Sequence, residues 1–234
     1  KDGLANGILS HERLDEAVTR ILAAKASLGL HKQIEHGSAM FEDRKKDQAE
    51  LADHSVTLVK DSQKLLPLSP EKHKRVLLQM LGNFDSNERV SQKVKTELEQ
   101  LGFDVTVYEP ETNFWDLETV QSFSSKYDIV LYVANIENAS NQTVARINWH
   151  TLFGLGNNLP WFVKEIPTLL ISFGNPYHLF DLPMVETVVN TYCNYDHFIE
   201  AGISKLVGKS PFKGVSPVNP FCNNDLLKEL NDAN

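Results

Sequence analysis

Apolar and polar positions repeat with two different periods along this chain, and the change of period divides it. Leu14, Val18, Ile21 and Leu22 recur at i, i+4, i+7 and i+8, which places them on one face of a helix. Ser10 stands where its hydroxyl can cap the free N–H groups of the first turn, Glu12 sits where the helix dipole favours an anion, and Gly29 suits a stop. This helix has too little apolar sequence around it to form a core alone, so it is expected to pack on something else. Gln33 to Ser38 is polar and contains Gly37, a candidate linker. Ala49, Ala52, Val56 and Val59 form a stripe that predicts a second helix from about Phe41 to Val59. A turn follows over Lys60 to Lys64. Leu65-Leu66-Pro67-Leu68 then reads as extended, because Pro67 pushes Leu66 out of the helical region.

Beyond this point continuous apolar runs alternate with helical stripes. Arg75 to Leu81, Phe103 to Tyr108, Tyr127 to Val133, Pro167 to Phe173 and Glu186 to Val189 read as strands. Asn87 to Leu101 carries Val90, Val94, Leu98 and Leu101 in helical register, Trp115 to Phe123 is a weaker helix, and His197 to Val207 is helical up to Gly208. Asp225 to Leu230 suggests a short final helix. Strands that are apolar throughout are buried on both faces, so the expected fold is α/β: a three-layer α/β sandwich around a mostly parallel sheet.

Composition narrows the function. The 234 residues are 41% hydrophobic and 23% charged, as in an ordinary globular domain, and long enough to bury a sizeable core. A net charge of −8 argues against a nucleic-acid partner, and no apolar run approaches a membrane span. Gly82-Asn83-Phe84-Asp85 follows a strand but lacks the further glycines of a phosphate cradle, so neither a nucleotide cofactor nor a flavodoxin-like regulatory domain is indicated. No cofactor is expected. The eight histidines make no close pair and Cys193 and Cys222 show no ligand spacing, so no metal is expected either; the two cysteines read as structural thiols. Lys1-Asp2-Gly3 opens directly onto a helix signal, so the true N-terminus is expected upstream. Targeting signals would lie there, leaving cytoplasmic and secreted locations both open.

Two segments carry candidate chemistry, both at carboxyl ends of predicted strands, where open α/β sheets place ligands. The long polar stretch from Ala134 to Asn158 holds Glu137, Arg146 and Trp149 among several amide side chains, which suits an array of sugar hydroxyls and a ring face. The plainer reading is a polar surface loop with Trp149 tucked into the core. Gly174-Asn175-Pro176-Tyr177-His178 follows the next strand, and Asn175 and Tyr177 could shape a cleft there; as structure alone it is a turn and helix cap.

As a set, these residues resemble glycoside hydrolase family 3. Gly7-Ile8-Leu9-Ser10 through Arg20-Ile21-Leu22, with Lys25 and Leu28-Gly29-Leu30, is similar to the last helix of that family's catalytic barrel. Ser55-Val56-Thr57-Leu58-Val59-Lys60-Asp61 and Leu65-Leu66-Pro67-Leu68 resemble the start of its second domain. Pro167 to Tyr177, Asn190-Thr191-Tyr192 and Lys205-Leu206-Val207-Gly208 resemble later parts of that domain. Gly214-Val215-Ser216-Pro217-Val218 departs at two positions from the usual Gly-Lys-Leu-Pro-Val. The wording Asn-Pro-Tyr-His-Leu is most like the bacterial two-domain β-N-acetylglucosaminidases.

The resemblance implies that residues 1–32 are a barrel's last helix with the start of a linker, and residues 33–234 the C-terminal α/β domain. It implies a missing N-terminal barrel as partner, an amino-sugar glycoside as substrate, and retaining hydrolysis that releases terminal β-linked N-acetylglucosamine. No position here matches the family's nucleophile motif or the His–Asp acid/base pair of the N-acetylglucosaminidase branch, so the chain alone is expected to be inactive. In β-glucosidases of the family the second domain supplies an acid/base Glu, and Glu137 is the candidate for that role. Arg146, Trp149, Asn175 and Tyr177 are the candidates for substrate binding or the domain interface. The alternatives are the second domain of a family 3 β-glucosidase and a stand-alone glycan-binding module.

Overall fold

A computed structural model describes residues 1–32, 39–82, 86–109, 119–136, 145–147, 149, 151–152, 155–156, 159–224 and 228–229. The chain divides into two compact units, Lys1–Arg44 and Lys45–Asn234. In the first, α1 (Asp2–Ala5) precedes α2 (His11–Ser27). The expected cap is present: Ser10 Oγ accepts from the Arg13 N–H at 3.1 Å, and Gly29 ends the helix with φ +71°. α2 buries none of its residues, and Leu14, Val18, Ile21 and Leu22 are all exposed. Helix α3 (Ala39–Ser55) runs across the division.

The predicted second helix ends four residues early. Thr57–Asp61 is strand β1, antiparallel to a later strand, instead of the helix's last turn. The stripe misled because Val56 and Val59 are both buried, yet in opposite cores: Val56 on one face of the sheet and Val59 on the other. Three residues apart, they would share a face on a helix; on a strand they point to opposite sides. The predicted turn likewise starts late, since Lys60 and Asp61 belong to β1.

The second unit continues with β2 (Arg75–Leu81), α4 (Asn87–Gln100), β3 (Asp104–Val107), α5 (Val120–Lys126) and β4 (Ile129–Ile136). After these come a small hairpin of β5 (Thr151–Leu152) and β6 (Leu155–Gly156), then β7 (Thr168–Gly174), β8 (Thr187–Asn190) and α6 (Asp196–Leu206). The weaker predicted helix is observed as α5, which continues to Lys126; residues 115–118 of the span proposed for it lie outside the described residues, as does most of the proposed final helix. The six-stranded sheet has the order β1-β8-β7-β4-β2-β3, parallel throughout except at β1.

Side chains from the sheet alternate between two cores. Val76 and Leu78 meet Val90, Val94 and Leu98 of α4 and Ile199, Ile203 and Leu206 of α6. Leu77 and Leu81 meet Phe123 of α5 with Phe162 and Leu182. This is the expected three-layer α/β sandwich. Each fully buried Leu or Ile contributes roughly 1.5–3 kcal/mol, so the two cores dominate over any single polar contact.

The five parallel strands, counted in chain order, lie 2-1-3-4-5, which reverses direction between β2 and β4. Such a reversal opens a crevice at the strands' carboxyl ends. Here amide side chains fill it. Asn135 is fully buried at the end of β4; its Nδ2 donates to Ser86 Oγ (2.9 Å) and Asn87 Oδ1 (2.7 Å), while its Oδ1 accepts from Asn194 Nδ2 (2.9 Å). Gly82 allows this closure. At φ +118° it would place a Cβ 2.4 Å from the Asn135 carbonyl oxygen.

Candidate functional site

With the switch-point crevice filled, the sheet's chemistry-bearing rim shifts to the carboxyl ends of β4 and β7. β4 runs further than predicted, through Ile136, because Ala134, Asn135 and Ile136 pair with Ser172, Phe173 and Gly174 of β7. The loop proposed to begin at Ala134 therefore starts three strand pairs later. Glu137, the acid/base candidate, lies outside the described residues.

The other candidates are described. Asn175 Nδ2 donates to the Ala145 carbonyl (2.8 Å), and its Oδ1 accepts from the Tyr177 N–H (2.9 Å), the local bond that makes Asn before Pro a turn starter. Arg146 pairs with Asp181 through both Nε and a terminal nitrogen, and its guanidinium lies 4.6 Å from the centroid of the Phe180 ring. The same Asp181 accepts from the Ile147 N–H at 3.2 Å. Asp181 is nearly buried, at 5% side-chain exposure, whereas Arg146 is 54% exposed. Tyr177 is exposed. Trp149 is partly buried and packs against the core that holds Phe123 of α5.

Thus the structure brings Arg146 and Asn175 together by docking the 145–147 backbone onto the turn after β7. Three groups do this, Asn175, Asp181 and the Arg146 fork, and sequence reading had named only two of them. Asp181 sits 35 residues from its partner, and a lone Asp in a short turn gives no local signal of such a bond.

Beneath the turn lies a buried polar pair that was also missed. The Ser172 hydroxyl donates to the Asn175 carbonyl (2.8 Å) and lies 2.7 Å from His178 Nδ1. Both side chains are 1% exposed. Burial lowers the His178 pKa to about 4, against the opposing charge of Asp181, so the ring is neutral at neutral pH. A Ser–His contact can activate a nucleophile only where substrate reaches the hydroxyl. This one is sealed and acts as a peg under the turn. Among the described residues no cluster of His, Cys, Asp and Glu could hold a metal ion, and Cys193 and Cys222 are not joined.

No family model matches the chain. A curated relative, a beta-N-acetylglucosaminidase/beta-glucosidase of Cellulomonas fimi, is 40% identical over 233 residues, covering 94% of this chain and 41% of the relative. The solved structure of the beta-glucoside phosphorylase BglX bound to 2FGlc matches with a TM-score of 0.78 and 41% identity, over 94% of this chain and 40% of that one. A glycoside hydrolase family 3 beta-N-acetylglucosaminidase from Paenibacillus shares the fold, with a TM-score of 0.61 at 17% identity, over 94% of this chain and 41% of its own. Over nearly its whole length the chain is thus similar to one part of these longer enzymes, and it shares the α/β fold of the glycoside hydrolase family 3 structure. It spans about two fifths of the length of the relatives it matches. The family 3 motifs singled out in the sequence fall on β1, on β7 with its turn, and at the end of α6. No helix among the described residues is long and apolar enough to cross a membrane.

Proposed function

We propose that this domain works beside a catalytic barrel in an enzyme that releases terminal β-linked N-acetylglucosamine or glucose, with the Asn175–Arg146 rim facing the substrate side. The observation that carries the reading is the 40% identity, over 94% of the chain, to a relative named for both activities and more than twice as long. The exposed apolar face of α2 supports it, since a barrel's last helix would bury Leu14, Val18, Ile21 and Leu22. On this reading residues 1–32 belong with the barrel and residues 33–234 form the accessory domain.

Glycoside cleavage with retention needs a nucleophile and a proton donor on either side of the bond, with carboxyls about 5–5.5 Å apart in the two-carboxylate case. At the β7 turn the described carboxylate is Asp181, nearly buried and already bound by Arg146 and the Ile147 N–H. It is not available for attack. The nucleophile is therefore assigned to the barrel, and Glu137 is at most a proton donor. Arg146 and Asn175 hold the turn in place, Tyr177 offers a ring at the rim, and Trp149 supports the loop from below.

A second reading of the chemistry rests on one observation: the 41%-identical structure is named a phosphorylase. Phosphate would then replace water as the acceptor of the glycosyl group. The test is to assay the enzyme containing this domain on aryl β-glucoside and aryl β-N-acetylglucosaminide, with and without phosphate. Free sugar formed at a phosphate-independent rate indicates hydrolysis; sugar 1-phosphate formed in proportion to added phosphate indicates phosphorolysis. The 234-residue chain alone is expected to turn over neither substrate. Turnover by the chain alone, abolished by Glu137→Gln, would overturn the assignment of the nucleophile. Saccharide binding by the chain alone would mark a binding module instead.

A further inference from the structure

We propose that a cleft at the amino ends of the strands, opposite the rim, binds a small phosphate-bearing anion. The cleft has a volume of about 450 Å³ and is lined by Lys64, Ser69, Lys72 and His73, with Leu66 and Pro167 as apolar walls. Its position follows from the topology. β1 runs antiparallel, so the segment after it arrives where β2 and β7 begin.

Charge points to an anion. The chain carries −8 overall, yet two lysines converge here without a carboxylate partner among the described residues. The nearby acids are each engaged elsewhere. Asp61 accepts from the Leu65 N–H (3.0 Å), the Leu66 N–H (3.2 Å) and the Thr187 hydroxyl (2.7 Å). Asp128 accepts from the Arg75 N–H (2.8 Å) and from its guanidinium. Glu71, fully exposed, is drawn to its own backbone N–H and the Ser69 hydroxyl.

Two further observations point to a ligand. His73 Nδ1 is buried and meets no hydrogen-bonding partner, an arrangement that folded proteins rarely leave without a reason. Lys64 holds φ +55°, in the left-handed region where Gly or Asn would fit at lower cost. That placement keeps a cationic side chain at the mouth of the cleft at the expense of backbone strain. Two ammonium groups, an imidazole and two apolar walls suit a phosphate group, either free or on a sugar-sized body. This inference does not depend on the enzymatic reading.

The test titrates the 234-residue chain with inorganic phosphate, glucose 1-phosphate and glucose up to ~10 mM, enough to detect a millimolar Kd. Binding is followed by backbone amide shifts and by the His73 ring signals. Saturable shifts at Lys72 and His73 with both phosphates, and none with glucose, are expected. Tighter binding of glucose 1-phosphate would identify an organic phosphate as the ligand, and equal binding the phosphate group alone. The exposed pair Lys64→Ala and Lys72→Ala together should weaken binding at least about tenfold while leaving the unfolding midpoint in place. No saturable binding, or binding that the double variant leaves unchanged, would overturn the proposal.

Discussion

Lys205 and Asp53 meet at 2.6 Å, with the lysine side chain wholly shielded from water and the carboxylate 28% exposed. The ammonium also donates to the Pro211 carbonyl (2.8 Å), while the other Asp53 oxygen takes Lys213 (2.6 Å). One carboxylate thus neutralises a cation at the end of α6 and ties α3 to it.

Asp53→Ala would leave that cation buried and unpaired, so a loss of about 3–5 kcal/mol is expected. Lys205→Met removes the charge instead of stranding it and should cost less. Urea unfolding of both variants checks the order; equal losses would show that the ion pair is not what matters. The hydrogen bonds from Lys205 and Lys213 lower the Asp53 pKa to about 2 from 3.8. Because the folded pKa is depressed, this contribution is complete above about pH 4 and is lost as pH falls through 2.

His178 acts in a higher pH window. Its folded pKa of about 4 lies below the ordinary 6.5, so the unfolded chain takes up the proton first. Stability is complete above about pH 6.5 and declines as pH falls toward 4. A separation of about 2.5 in pKa is worth about 3 kcal/mol. Unfolding measured at pH 7 and pH 4.5 should show most of this decline in the native chain and a flatter profile in His178→Gln. A ring titrating near 6.5 in NMR would contradict the burial argument.

Two glycines are expected to tolerate no side chain. Gly82→Ala meets both the positive φ and the Asn135 carbonyl at 2.4 Å, while Gly214→Ala has an ordinary φ but would stand 2.2 Å from the Ser55 carbonyl oxygen. Each should destabilise by more than about 2 kcal/mol, since backbone must move to make room. Thermal unfolding reads the effect. Gly3, whose nearest neighbour lies 3.9 Å away, is the control and should accept Ala with little change.

Asp181→Asn should loosen the docked backbone at residues 145–147. The buried carboxylate holds both the Arg146 fork and the Ile147 N–H, and weakening charge-assisted bonds of this kind costs about 1–3 kcal/mol. Hydrogen exchange at the Ile147 amide should accelerate strongly, with little change at Leu170 in the middle of β7. Uniform acceleration across the sheet would mean that the substitution acts on the whole fold.

Sequence patterns disclosed elements whose signal is local. β2, β4 and β7 were legible because strands buried on both faces are continuously apolar, and α4 and α6 because their stripes match the helical period. β1 was not: it is five residues long, follows α3 after a single residue, Val56, and that valine and Val59 of the strand, both buried, happen to continue the helix's spacing. Asn135 was read as loop because polar residues in a central strand look like an ending. Its partners Asn87 and Asn194 lie 48 and 59 residues away. For the same reason Asn175 and Arg146 could be named from their setting in the chain, but the bond from Arg146 to Asp181 could not.

The two borders of the sheet also bear on how copies of this domain behave when crowded. β3 spans only four residues, and β1 loses its register between Leu58 and Lys60. A strand from another molecule seeking to extend the ladder would find a short run on one side and a broken one on the other. Sheet borders of this kind resist strand-by-strand aggregation, so at high concentration the domain should self-associate through side-chain surfaces and not by growing its sheet.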